Sequence, residues 1–302
     1  MEIQRKNIFY LGKGGVGKST VSALTALQLA LNGKNVLLVS FDPAHNQSDI
    51  FRKALSETPL RITGNLYAKE IDIDFRVKEY LSNIEKQVKQ SYSYLTALNL
   101  ENYFGIIKHS PGIEEYALVS AYSEISKTFS DMDYIVFDMP PTALALKFFG
   151  LPELSLLWLE KLLELRKEII KKRDIITKIK LGKKVFERDK LLNKLNEQIS
   201  GYSEVKKAFE NKELTEINLV LNPDELSFSE SELIIKKLAE FNLTVSGIIV
   251  NKFVPGNSFN RIKETFKNID IKIFPLSQKP LLGLDSLEKY LQAIKRKESS
   301  FE

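Results

Sequence analysis

A short apolar run, Asn7 to Leu11, leads into GKGGVGKST at residues 12–20, and an apolar-periodic stretch, STVSALTALQLALNGK, begins at Ser19. This order of strand, glycine-rich turn and helix constrains the chain more than any other feature. Gly12, Gly14, Gly15 and Gly17 let the backbone wrap an anion with its N–H groups pointing inward. A helix that begins near Gly17 adds the positive end of its dipole. The spacing is that of G-x-x-x-x-G-K-[ST]. In that pattern Gly12, Gly14, Gly15, Val16 and Gly17 form the cradle, and Lys18 reaches the β- and γ-phosphates. Ser19 is placed to ligate Mg²⁺ and Thr20 to meet the α-phosphate. ATP and Mg²⁺ are the expected ligands.

The rest of the chain repeats the same alternation. Apolar runs at 35–41, 66–72, 134–138, 216–221, 247–251 and 271–274 read as buried strands, and helical patterns separate most of them. Gly33 is placed to close the first helix. The expectation is one α/β domain over 1–302, a doubly wound, mostly parallel sheet. Two stretches break the rhythm with helical periodicity. Leu81, Ile84, Val88, Tyr92, Leu95 and Leu98 recur within about 76–130. Trp158, Leu162, Leu165, Ile169, Ile176 and Ile179 recur within about 151–213. They are expected to form one helical subdomain. Its stripes either pack on one another or line a groove for an apolar guest helix.

Composition narrows the chemistry. The 302 residues include no cysteine, which excludes disulfides, thiolate zinc sites, iron–sulfur ligation and cysteine nucleophiles. The N-terminus, MEIQRKNIFYL, reads as a charged lead-in to a strand, not as a signal peptide, and no apolar run is expected to span a membrane. A cytoplasmic protein is the expectation. The net charge of +5 is concentrated: residues 166–190 alone carry +7, so the remainder is slightly acidic. That segment is a solvated helix face or a docking face for an acidic partner.

Three further residues carry chemistry. Asp42, in VSFDPAHNQSDIF, ends a strand beside the loop, where a carboxylate can orient the attacking water; it can also cap a helix ahead of Pro43. Asp138 closes YIVFD as a carboxylate that holds Mg²⁺ through water, and Pro140 and Pro141 stop the strand. Lys13 is an extra lysine at the loop mouth. It is either a spare surface charge or the second lysine of the K-G-G-x-G-K-[ST] form, the deviant Walker A signature. In that class the lysine crosses a two-fold dimer and neutralises charge at the partner's nucleotide, as an arginine finger does.

With these pieces the chain resembles the ArsA family: arsenite-pump ATPases and the Get-pathway ATPases that target tail-anchored membrane proteins. The resemblance runs the full length through GKGGVGKST, DPAHNQSDIF, NLYAKEIDID, PGIEEY, FDMPPT, IIVNKF and FPLSQKPLLGLDSL. It implies a Mg-dependent ATPase working as a nucleotide-dependent homodimer, with Lys13 in trans, Asp42 as the water-activating switch residue and Asp138 in a second switch. It also implies that Asn251 reads the adenine ring and that Pro275 and Leu276 begin the loop covering the base. Implied partners are hydrophobic helices of client membrane proteins and a transient membrane or receptor contact, with no nucleic acid. Alternatives are metalloid efflux and ParA- or MinD-like positioning. The chain departs from the family in its second switch, where Ala143 and Leu144 replace glycine and histidine, and in lacking the arsenite cysteines and the C-x-x-C clamp. His45 and His109 are its two histidines.

Overall fold

Alternation along each strand sends side chains to both faces of the sheet, so the sheet is covered twice. The computed structural model describes residues 5–44, 46–91, 112–181, 190–254 and 259–298. The strands among them are β1 (Lys6–Leu11), β2 (Val36–Ser40), β3 (Leu60–Thr63), β4 (Leu66–Glu70), β5 (Tyr134–Asp138), β6 (Thr215–Leu221), β7 (Gly247–Phe253) and β8 (Asp270–Pro275). They form one sheet in the order β3-β4-β2-β5-β1-β6-β7-β8. Every pairing is parallel except the edge pair β3–β4. The edge strand LRIT was not among the expected strands. Half of it faces solvent, and only Ile62 is buried, so it lacks the apolar density that marks the others.

The helices are α1 (Lys18–Leu31), α2 (Asn46–Phe51), α3 (Ile73–Ser91), α4 (Ile113–Thr128), α5 (Thr142–Leu181), α6 (Lys190–Glu210), α7 (Glu225–Glu240), α8 (Phe259–Thr265) and α9 (Leu284–Glu298). On one face of the sheet, Ile8, Tyr10, Leu38 and Val136 pack against Val21, Leu24 and Leu27 of α1 and Leu287 of α9. On the other, Phe9, Phe41 and Phe137 meet Tyr122 of α4, Phe148 and Phe149 of α5 and Phe209 of α6. Phe9 and Phe137 stack at 4.7 Å and Phe149 meets Phe9 edge-on at 5.2 Å. α1 ends as its sequence suggests: Gly33 has φ 82°, and the N–H groups of Gly33 and Lys34 bond the carbonyls of Ala30 and Leu29.

α3 and α4 pack through Val77, Leu81 and Ala117, and a stacked Tyr80–Tyr116 pair meets Tyr202 of α6 edge-on. Buried Arg76 ties three segments together. Its guanidinium donates to Glu57, on the loop after α2, at 3.2 and 2.8 Å, to Glu79 at 2.9 Å and to Glu124 of α4 at 2.6 Å. Burial alone would lower the guanidinium's pKa, but these carboxylates outweigh it and push it up. Replacing Arg76 by methionine is expected to cost about 2–3 kcal/mol in denaturant unfolding, below the full penalty of a broken buried pair because Glu79 and Glu124 are half in water.

The 40-residue helix α5 corrects one expectation. Its Thr142–Lys172 stretch is long and apolar enough to cross a membrane by length and composition. Its glutamates are too few to break it, and Pro152 is carried inside the helix. The first turns lie in the sheet core, with Ala145, Phe148 and Phe149 buried. Beyond them Leu154, Leu157, Trp158, Leu165 and Ile169 are 46–67% exposed. Of the expected helical residues, Tyr92, Leu95 and Leu98 lie outside the described residues, as do His45 and His109, and so do the side chains of Val88, Ile176 and Ile179.

Candidate functional site

Parallel pairing puts the C-terminal ends of β1, β2, β5 and β7 on one edge of the sheet. Tyr10 and Ser40 are both in register with Asp138. The Phe41 N–H donates to the Asp138 carbonyl at 2.8 Å, and the Met139 N–H donates to that of Tyr10 at 3.2 Å. The glycine loop, Asp42 and Asp138 therefore converge through backbone pairing before any side chain contributes.

The loop runs from Gly12 to Gly17. Gly12 (φ 147°) lies against the Val220 carbonyl of β6, and Gly17 (φ 93°) is the N-cap of α1. Gly17 supplies no side-chain cap and the first turn of α1 holds no acidic residue. That helix end is left as a set of N–H donors with a positive dipole, which suits an anion. Gly14 and Gly15 are exposed, while Val16, Lys18 and Ser19 are buried. Lys18 lies back across the loop, its Nζ 3.4 Å from the Lys13 carbonyl. Thr20 follows, half-buried.

Two neighbours brace the loop from β7. Asn251 is buried and its Nδ2 donates to the Val16 carbonyl at 2.7 Å. Lys252, a non-glycine residue at φ 53°, donates from Nζ to the Gly15 carbonyl at 2.8 Å. One amide hydrogen of Asn251 is thus spent on the loop; base reading would use the other hydrogen or the oxygen. Pro275 and Leu276 sit where β8 ends. The Leu276 N–H donates to the Phe253 carbonyl at 2.9 Å, which places this loop beside the end of β7. The two residues line a cavity of about 750 Å³ against α9, and the Tyr290 hydroxyl donates to the Pro275 carbonyl at 2.6 Å.

The carboxylates differ. Asp42 is buried and its Oδ1 accepts from the Ala44 N–H at 3.0 Å. It closes a turn; α2 starts only at Asn46, so the helix-capping expectation for Asp42 is corrected. Asp138 is fully buried. Burial raises its carboxyl pKa to about 6, against the pull of the neighbouring Ser19 hydroxyl, the hydrogen bond from Gln47 and the charge of Lys18. Oδ1 of Asp138 and Oε1 of Gln47 are buried acceptors without a partner. Together with the Ser19 hydroxyl they make an all-oxygen donor set, the kind a hydrated Mg²⁺ fits.

Lys13 is half-buried, and its charge is felt at Asp224, the N-cap of α7. Burial works against ionisation of Asp224, but hydrogen bonds from Ser227 and the charge of Lys13 hold its carboxyl below the usual range. After Asp138, Pro140 and Pro141 end the strand and α5 begins at Thr142, whose hydroxyl donates to Glu230 of α7 at 2.7 Å. Ala143 is exposed, and Leu144 packs on the core. Gln47 and Lys252 were not among the expected site residues. Only their nearness to Asp42 and Asn251 in sequence hinted at them.

Comparison with known proteins adds relatives to this geometry. The ArsA profile, described as anion-transporting ATPase, matches residues 5–296. An arsenical pump-driving ATPase of Aquifex aeolicus is 31% identical over 87% of this chain and 85% of its own length. The ATPase GET3 of Komagataella phaffii is 30% identical over 94% of this chain and 88% of its own. An ATPase ASNA1 homolog of Entamoeba dispar is 31% identical over 83% and 77%, respectively.

Proposed function

Since the chain belongs to the ArsA family of anion-transporting ATPases and is an ATPase, we propose that it works as a nucleotide-switched homodimer that shields hydrophobic transmembrane segments in the cytoplasm and delivers them to a membrane. The observation that carries this reading is α5. The helix starts four residues after Asp138 and, beyond the core, presents Leu154, Leu157, Trp158, Leu165 and Ile169 to solvent. An apolar stripe of this length on one helix suits a guest helix. In this reading the segments at about 76–130 and 151–213 form one helical subdomain around that stripe. The contacts of Tyr80, Tyr116 and Tyr202 support the grouping.

In the hydrolytic step, the loop N–H groups and Lys18 would bind and orient the phosphates, with Gly12 to Thr20 as the cradle. Ser19 would hold Mg²⁺ directly and Asp138 would hold it through water. When bound, the ion neutralises charge on the phosphoryl oxygens. Asp42 would orient the attacking water and accept its proton. Lys13 would meet charge at the partner protomer's nucleotide. Asn251, Pro275 and Leu276 would contact the base. Movement of α2 and of the Asp138–Thr142 segment with the γ-phosphate would then shift α5, a two-state change set by the nucleotide.

Energising metalloid efflux is the competing reading, which the names of the Aquifex relatives suggest. Soft As(III) binds thiolates, and the chain has no cysteine. A membrane-free translation reaction making a tail-anchored protein tests the proposal. Capture is expected to need ATP and to fall about tenfold or more when Trp158 and Leu165 are both changed to aspartate, each substitution setting a charge where an apolar contact is needed. The thermal midpoint is expected to hold, because both side chains are exposed. Equal capture by a folded Trp158→Asp/Leu165→Asp protein would remove α5 from client binding.

A further inference from the structure

Gln47 takes no part in the hydrolytic step described above, yet it is fully buried and hydrogen-bonded to Asp138. It is the second residue of α2, on the segment that carries Asp42. Its Nε2 donates toward three acceptors: the Ser19 carbonyl at 2.9 Å, the Ser22 hydroxyl at 3.0 Å and Asp138 Oδ2 at 3.0 Å. The Ser22 hydroxyl spends its own hydrogen on the Ser19 carbonyl at 2.9 Å, so its oxygen is left to accept. An amide nitrogen has two hydrogens, so one of them is shared. One side chain thereby joins the first turn of α1, the end of β5 and the start of α2.

The other half of the amide is the informative part. Oε1 has no partner, and neither has Asp138 Oδ1. A buried acceptor left without a donor costs free energy comparable to a lost hydrogen bond, and here two fall on one hydrogen-bonded pair of side chains. Covalent geometry sets Oε1 about 2.3 Å from the nitrogen that bonds Asp138 and Oδ1 about 2.2 Å from the oxygen it bonds, so the two orphan oxygens lie within about 7 Å of each other at the start of α1. Water molecules on a bound divalent cation are strong donors and would satisfy both.

We infer that Gln47 is a positioning residue for the divalent cation. Its amide nitrogen holds Asp138, and its amide oxygen accepts a hydrogen bond from a water ligand of the ion held at Ser19. Because Gln47 belongs to α2, the ion then reinforces the hold of α2 on α1 and β5 that its amide nitrogen already makes. This inference rests on the Mg²⁺ assignment to Ser19 and Asp138.

The test is a Mg²⁺ titration of binding of a fluorescent ATP analogue, with EDTA as the metal-free arm, on wild type, Gln47→Leu and Gln47→Asn. Leucine keeps the volume without hydrogen bonds. Asparagine keeps the amide but is one methylene short of Asp138. Both are expected to raise the Mg²⁺ half-saturation about tenfold, in line with the worth of hydrogen bonds to charged groups. Affinity in EDTA is expected to stay within about twofold, because the loop backbone and Lys18 are untouched. A purely structural Gln47 would alter the melting temperature and leave the metal dependence of the folded variant unchanged, and that result would overturn the inference. If Gln47→Leu does not fold, the asparagine variant decides. If wild type itself binds nucleotide with no response to Mg²⁺, the underlying Mg²⁺ assignment fails instead.

Discussion

Asp42→Asn is expected to lower ATP turnover by about 10²–10⁴-fold while nucleotide affinity stays within about threefold. The geometry makes this a clean substitution. Asp42 Oδ1 accepts one hydrogen bond, from the Ala44 N–H at 3.0 Å, and an asparagine oxygen accepts it equally well. The turn at residues 42–44 should therefore persist. What is lost is the negative charge and the ability to take a proton from water. Asp138 cannot substitute, since it is fully buried on the adjacent strand and hydrogen-bonded to Gln47. Single-turnover hydrolysis beside equilibrium nucleotide binding separates the two effects. Turnover within about fivefold of wild type would place the water-orienting group elsewhere. In the capture assay the variant should keep ATP-dependent capture and release the client more slowly, because the switch stays loaded.

Gly12→Ala is expected to abolish useful nucleotide binding, weakening it by roughly a hundredfold or more, and to destabilise the fold by about 2–4 kcal/mol. A Cβ built on Gly12 lies 2.2 Å from the Val220 carbonyl oxygen and 3.2 Å from the Val16 side chain. The first is backbone of a central strand, and no rotamer change relieves it. The φ of 147° adds strain for any L side chain. Relief requires β1 to move from β6 or the loop to change course, and either displaces the N–H cradle. Gly14 makes the contrast: a Cβ there meets nothing within 4 Å and its φ is not in the left-handed region, so Gly14→Ala should cost little stability. Denaturant unfolding and nucleotide titration of both variants check the pair. A Gly12→Ala protein with wild-type stability would mean the loop relaxes more easily than its packing implies.

Much of the site was legible because its parts are local. Strand, glycine turn and helix lie within Asn7–Leu31, and the chemistry of that unit depends on neighbours in sequence. Asp42 and Asp138 announce themselves as carboxylates closing apolar runs. The strand expectations agree with β1, β2 and β4 to β8 to within a few residues: the inner strands are largely buried and dense in apolar residues, and the edge strand β8, though only its Phe274 is buried, carries Ile271, Ile273 and Phe274 in a four-residue run. β3 escaped because LRIT, four residues long with only Ile62 buried, has no such density.

What the tertiary structure decided is everything that depends on distant partners. The order β2-β5-β1 puts Ser40 and Tyr10 in register with Asp138, and it follows from crossovers that no local pattern encodes. The bond from Asn251 to Val16 spans 235 positions. Gln47 reads in sequence as one polar residue among several in a switch segment; only the fold buries it and turns its amide onto Asp138. The apolar periodicity of α5 was legible, but periodicity gives the direction of a face and not what covers it. Phe148 and Phe149 are covered by the sheet and by Phe209, while Trp158 and Leu165, on the same helix with the same kind of pattern, are left in water. Sequence determined that this chain holds a phosphate loop in a parallel sheet. Packing decided which apolar residues remained exposed and which polar atoms remained unpaired.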